Sequence, residues 1–140
     1  MMSRAFYHVR GPDLDENPVA GPSLNLAMHE FSIMESALEQ ILDQAQLAGA
    51  AKVYAIRLRI GALSGVVPDA LQFAFEGLSP GTIAEGARLD LDVIPARFWC
   101  ATCQQEFQAD NMFAECPVCA TPSRHLRSGR ELEVGSMEIE

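Results

Sequence analysis

The 140-residue sequence is short of positive charge: 10 Lys and Arg stand against 19 Asp and Glu, for a net charge of −9. Nucleic-acid backbones are held by clustered basic surface, so general nucleic-acid binding is disfavoured. Aromatic residues are scarce too, 7% with a single tryptophan, and no aromatic–basic interleaving offers a platform for bases. No apolar run approaches the roughly 18 residues that a membrane-spanning helix needs. The first residues contain no continuous apolar segment of signal-peptide length, so secretion is not expected. Cysteine is missing everywhere outside residues 100–119, which fits a metal-binding protein of a reducing compartment better than an oxidised scaffold. These absences point to a cytoplasmic protein of about one domain, and 49% hydrophobic residues provide its core.

What is present is concentrated. Cys100-Ala-Thr-Cys103 is followed after twelve residues by Cys116-Pro-Val-Cys119. A CxxC turn places two thiolates on one ion, and the intervening loop is long enough to bring the second pair to the first. The donor set points to zinc, with a redox or disulfide pair and an iron–sulfur site as the other chemistries of such spacing. Four thiolates complete a tetrahedron and leave no position for water or substrate, so the expected role is structural. Phe98 and Trp99 beside the first clamp are expected to pack the module. Arg124, Arg127 and Arg130, with His125 among them, read as solvated or protein-contacting surface rather than a phosphate site.

Residues 1–27 read as a disordered tail punctuated by Gly11-Pro12, Asn17-Pro18 and Gly21-Pro22, with His8 not expected to bind metal. Met34, Ala37, Leu38, Ile41, Leu42, Ala45 and Ala48 then recur on one face of a helix from about Glu30 to Leu47. Over 52–60 the period changes to two, with Tyr54, Ile56, Leu58 and Ile60 in one phase of a strand. Pro68 suits the first turn of a second helix facing inward through Leu71, Ala74, Phe75 and Leu78. Leu89, Leu91 and Val93 alternate in a second strand. In a closing strand, Leu132 and Val134 run in one phase and Met137 and Ile139 in the other, with Gly135 at a predicted bulge. The expected fold is α+β: two helices on a three-stranded sheet, with a zinc-ribbon-like module inserted before the last strand. Residues 28–96 and 128–140 form the main domain in this reading, and 97–127 the zinc module.

A second constellation is Met28-His29-Glu30 at the helix entrance. As a surface histidine beside a dipole-favoured carboxylate it would do little. If the functional chain begins at Met28, however, its α-amine, the His29 backbone nitrogen and the imidazole form fused chelate rings. Tetragonal nitrogen sets of this kind suit Ni(II) or Cu(II), with Glu30 adding an oxygen or orienting the ring.

Met28-His29-Glu30-Phe31-Ser32-Ile33-Met34, the stretch from Leu58 to Val66, Phe73-Ala74-Phe75-Glu76, Ala84-Glu85-Gly86-Ala87 and both CxxC pairs together resemble the HypA/HybF family of hydrogenase-maturation nickel metallochaperones. The resemblance spans residues 28–140. It implies a non-enzymatic protein that delivers Ni(II) to the hydrogenase large subunit, working with a HypB-type GTPase; some members also serve urease. It implies nickel on His29 with Glu30 in support, and structural zinc on Cys100, Cys103, Cys116 and Cys119. Family members normally begin at the methionine matching Met28, so that residue is the expected native start and the preceding tail an extension. Some members carry a carboxylate at the position of Val67; here the nearest is Asp69. A monomer or weak homodimer is expected. The competing reading is a zinc-ribbon adaptor that binds nucleic acid or a protein partner; a hydrolase lacks both an open metal position and a nucleophile–base pair.

Overall fold

The structure is a computed structural model that describes residues 4–9 and 26–140, with the side chains of 26–29 outside the description. In chain order the elements are β1 (Ala5–His8), α1 (Leu26–Leu47), β2 (Val53–Gly61), α2 (Pro68–Leu78) and β3 (Arg88–Ile94). They are followed by β4 (Arg97–Cys100), β5 (Gln105–Gln108), β6 (Leu126–Ser128) and β7 (Leu132–Ile139). Two sheets result: a main sheet in the order β1-β7-β2-β3, and a smaller one in the order β5-β4-β6.

The main sheet grows around β2. Its Ile56, Leu58 and Ile60 are fully buried. On one side β2 pairs with β3 in parallel, and α2 supplies the crossover that a parallel connection requires. On the other side β7 runs antiparallel. Helix α1 packs against α2 and β7, and α2 against β3. Ile33, Met34, Ala37 and Ile41 of α1 close one continuous core with Leu71 and Phe75 of α2 and the buried sheet residues. The predicted slip in β7 is present: Arg57 pairs with Ser136 and Leu58 with Val134, so Gly135 is passed over. A second irregularity lies in β2, where Val53 pairs with Ile139 and Ala55 with Glu138. It sends Val53 inward and leaves Tyr54 half-buried, bonded to Glu140. The simple alternation over 52–60 assigned Tyr54 to the inner face; a bulge is invisible to a period-two count.

Two further expectations change. Residues 1–27 were expected to contain no element, yet Ala5–His8 forms β1 and makes the main sheet four-stranded rather than three-stranded. A four-residue strand exposed on both faces has no apolar alternation to reveal it, because its support is the backbone of β7. The remaining tail, 1–3 and 10–25, lies outside the described residues. Helix α1 begins at Leu26, four residues before the expected Glu30, and so takes Met28 and His29 into its first turn. Among the described residues, no helix is long and apolar enough to cross a membrane.

The chain leaves the main sheet through Pro95-Ala96 and returns through Gly129-Arg130. At this junction the β2 end is tied to the returning strand by Gly61 N–H to Glu131 O at 2.6 Å and Leu63 N–H to Gly129 O at 2.7 Å. A Cβ on Gly61 would fall inside the Gly129 carbonyl, and one on Gly129 would lie 2.6 Å from Ala96 Cα. Only glycine fits either place. Leu63 also packs against the apolar centre of the smaller domain.

Candidate metal centre

The small sheet carries the first clamp directly. Strand β4 runs into Cys100, the chain turns through Ala101-Thr102 to Cys103, and β5 leads away antiparallel to β4. Gln104, immediately after the clamp, has φ 54°, a left-handed conformation that closes the turn. The second clamp repeats this geometry: Ala120 follows Cys119 with φ 60°, and its N–H donates to Cys116 O at 2.8 Å. A bridge between Glu115 and Pro122 closes that turn. Phe98, fully buried, stacks on Phe107 with centroids 5.8 Å apart, and the two rings form most of the module's apolar centre.

These turns bring all four sulfurs within 4.8 Å of one another. Cys100 Sγ lies 3.5 Å from Cys119 Sγ, and Cys103 Sγ 3.9 Å from Cys116 Sγ. A tetrahedral zinc with Zn–S bonds of about 2.3 Å has S···S edges of about 3.8 Å, so the spacing fits. A disulfide would need about 2.05 Å, and all four cysteines are free. The residues present therefore suit a four-thiolate divalent metal site.

The thiols differ in their protonation. The Thr121 hydroxyl, 3.1 Å from Cys119 Sγ, and the Thr121 backbone N–H hold the Cys119 thiol down, from 9.0 to about 6. Hydrogen bonding to Cys119, followed by desolvation, pushes the Cys103 thiol up to about 12. Four adjacent thiolates repel one another, so without a cation the cluster keeps protons; a bound dication displaces them. Cys103 N–H points to Cys100 Sγ at 3.4 Å and adds a backbone dipole to that sulfur. Thr121 is the supporting group that spacing alone did not reveal.

The arginines after the clamp are partly committed to the module itself. Arg127 stacks over Trp99, its guanidinium carbon 4.7 Å from the ring centroid, and Arg130 approaches Met112 Sδ at 3.5 Å. Trp99 thus packs as expected, and its carbonyl accepts from Ser123 Oγ at 2.5 Å.

The second constellation looks different in three dimensions. His29 lies in the first turn of α1, but its side chain is outside the described residues. Glu30 is 1% exposed, and its Oε1 accepts a hydrogen bond from Val67 N–H at 3.1 Å. The carboxylate therefore clamps the start of α1 to the N-cap of α2, where Val67 has no side-chain cap of its own. Asp69 is exposed in the first turn of α2. Among the described residues, neither carboxylate belongs to a group of three or more metal-ligating side chains.

The profile of the family described as "Hydrogenase/urease nickel incorporation, metallochaperone, hypA" matches residues 28–139. A hydrogenase maturation factor HypA from Picosynechococcus sp. is 42% identical over 112 residues, 80% of this chain and 99% of the relative. Another from Methylocella silvestris is 41% identical over 113 residues, 81% of this chain and 100% of the relative. Among solved structures, the solution structure of the Ni metallochaperone HypA from Helicobacter pylori aligns with TM-score 0.55 at 21% identity, covering 79% of this chain and 96% of that one. At that identity the likeness shows the fold alone. The chain belongs to the HypA family of hydrogenase and urease nickel-incorporation metallochaperones.

Proposed function

We propose that the chain takes up Ni(II) at the start of α1 and passes it on for maturation of [NiFe]-hydrogenase, with urease as a further client. The observation that carries this reading is the position of Met28-His29-Glu30 at the head of the family match, on a chain that also builds a four-sulfur cluster. His29 is the nickel ligand. Glu30 acts in support: buried and bonded to Val67, it fixes the helix end on which His29 sits. The backbone N–H groups of Leu26, Ala27 and Met28 have no helical acceptor, and such an amide nitrogen binds a metal once it loses its proton. A site of nitrogen and oxygen donors at a helix end releases nickel more readily than a buried thiolate cage, as a donor of metal must.

Cys100, Cys103, Cys116 and Cys119 hold zinc, which contributes folding free energy to a module with few apolar residues. The protein acts as a binding and delivery factor rather than a catalyst. Its partners are a GTPase of the HypB type and the hydrogenase large subunit, and its compartment is the cytoplasm. Nickel titration of the full chain, a chain beginning at Met28 and a His29→Ala variant tests the site. The expected result is loss of nickel binding in the variant and tighter binding when the Met28 amine is free. Equal binding of one nickel by all three would remove His29 from the site.

A further inference from the structure

The short strand at residues 5–8 stands outside the family match, which begins at Met28. The Methylocella silvestris relative is matched along its whole length by 113 residues of this chain. β1 therefore has no counterpart in that relative and is an addition to the β7 edge of the matched region. Its register is continuous: Ala5 pairs with Ile139, Phe6 with Glu138, Tyr7 with Met137 and His8 with Ser136. Val9 extends the ladder, with its N–H to Gly135 O at 3.3 Å, at the residue that β2 passes over.

Side chains anchor this segment at its two ends. Arg4 lies 3.5 Å from the Glu138 carboxylate, with its guanidinium carbon 3.7 Å from the centroid of the Tyr54 ring. Val9, 7% exposed, enters the main apolar core. Between them all four residues of β1 are exposed. Backbone pairing supplemented by a few side-chain contacts is how a sheet edge accepts an added peptide strand. An open edge strand is also a liability that proteins cover.

We propose that the outer edge of β7 is a strand-acceptor site and that residues 4–9 are its built-in, displaceable occupant. When they leave, the edge takes an extended segment of the same chemistry from a partner protein: a cation facing Glu138 and Tyr54, and five residues later a small β-branched apolar side chain. The acidic β7 side chains favour such a basic strand over an acidic one. Displacement requires little, because a four-residue strand with one buried side chain near it sits at the low end of local stability.

The test uses the full chain and an acetylated peptide of residues 4–9 as probe. Val9 N–H points to β7, so Tyr7 N–H, two residues earlier, does as well, and Tyr7→Pro breaks the ladder at an exposed residue. Val9→Asp removes the plug independently. Both variants are expected to bind the peptide saturably, and the unaltered chain at least about tenfold more weakly because its own strand competes at high effective concentration. A peptide carrying Arg4→Glu is expected to lose about tenfold as well. Failure of both variants to bind, or equal binding by the unaltered chain, overturns the proposal. So does sedimentation showing that the variants pair into dimers that the peptide does not dissolve, which assigns the edge to a second copy.

Discussion

Ala120 sits at φ 60° at the end of the second clamp, a conformation that costs an L-residue roughly 1–2 kcal/mol. Glycine has no such cost. Ala120→Gly is therefore expected to stabilise the zinc-loaded protein by about 1 kcal/mol in denaturant unfolding, despite the larger entropy of its unfolded chain. Thr121 offers a test of different chemistry. Its bonds lower the Cys119 thiol from 9.0 to about 6 in the folded chain. A lowered value means that the interaction contributes stability fully above pH 9, and that this contribution is lost as pH falls through about 6. Thr121→Val is expected to return most of that thiol toward its ordinary range, so that thiolate absorbance of the reduced, metal-free protein near pH 7 decreases. An unchanged titration would dissociate Thr121 from Cys119. At this scale the sequence disclosed the four cysteines, because CxxC spacing is dictated by the ion. It did not disclose the burial of Glu30, since glutamate is ordinarily exposed and its partner Val67 lies 37 residues away.

The elements were legible where side-chain period and burial agree. Helix α2, β3 and the Gly135 bulge follow from the apolar pattern, and the start of α1 does not, because Leu26 to His29 precede the amphipathic stripe. Strand β1 depends on hydrogen bonds to β7, which leave no mark on its own side chains. The junction between the two sheets is likewise a matter of backbone proximity. Gly61 and Gly129 let two chain segments cross where neither has room for a methyl group. Gly61→Ala is expected to destabilise the protein by about 3 kcal/mol or more, measured by denaturant unfolding, because the obstruction is backbone and cannot rotate away. A cost below about 1 kcal/mol would mean that the two strands separate freely.

For the whole molecule, the two sheets obtain their stability from different sources. The main sheet has a continuous core shared with two helices, whereas the β5-β4-β6 sheet has little beyond Phe98, Phe107 and four sulfurs. Zinc can add on the order of 10–16 kcal/mol of apparent binding energy to such a module. Chelation is therefore expected to change the emission of Trp99, the only tryptophan, while the helical circular dichroism of α1 and α2 persists. Simultaneous loss of both signals would show that zinc supports the entire fold.

The proposed function divides labour between two metals, with sulfur for the zinc that stays and nitrogen and oxygen for the nickel that leaves. X-ray absorption at the zinc and nickel edges of one doubly loaded sample tests it directly. Zinc is expected to show four sulfurs at about 2.3 Å, and nickel a nitrogen and oxygen shell that includes imidazole and contains no sulfur. Sulfur in the nickel shell, or fewer than four sulfurs around zinc, would contradict it.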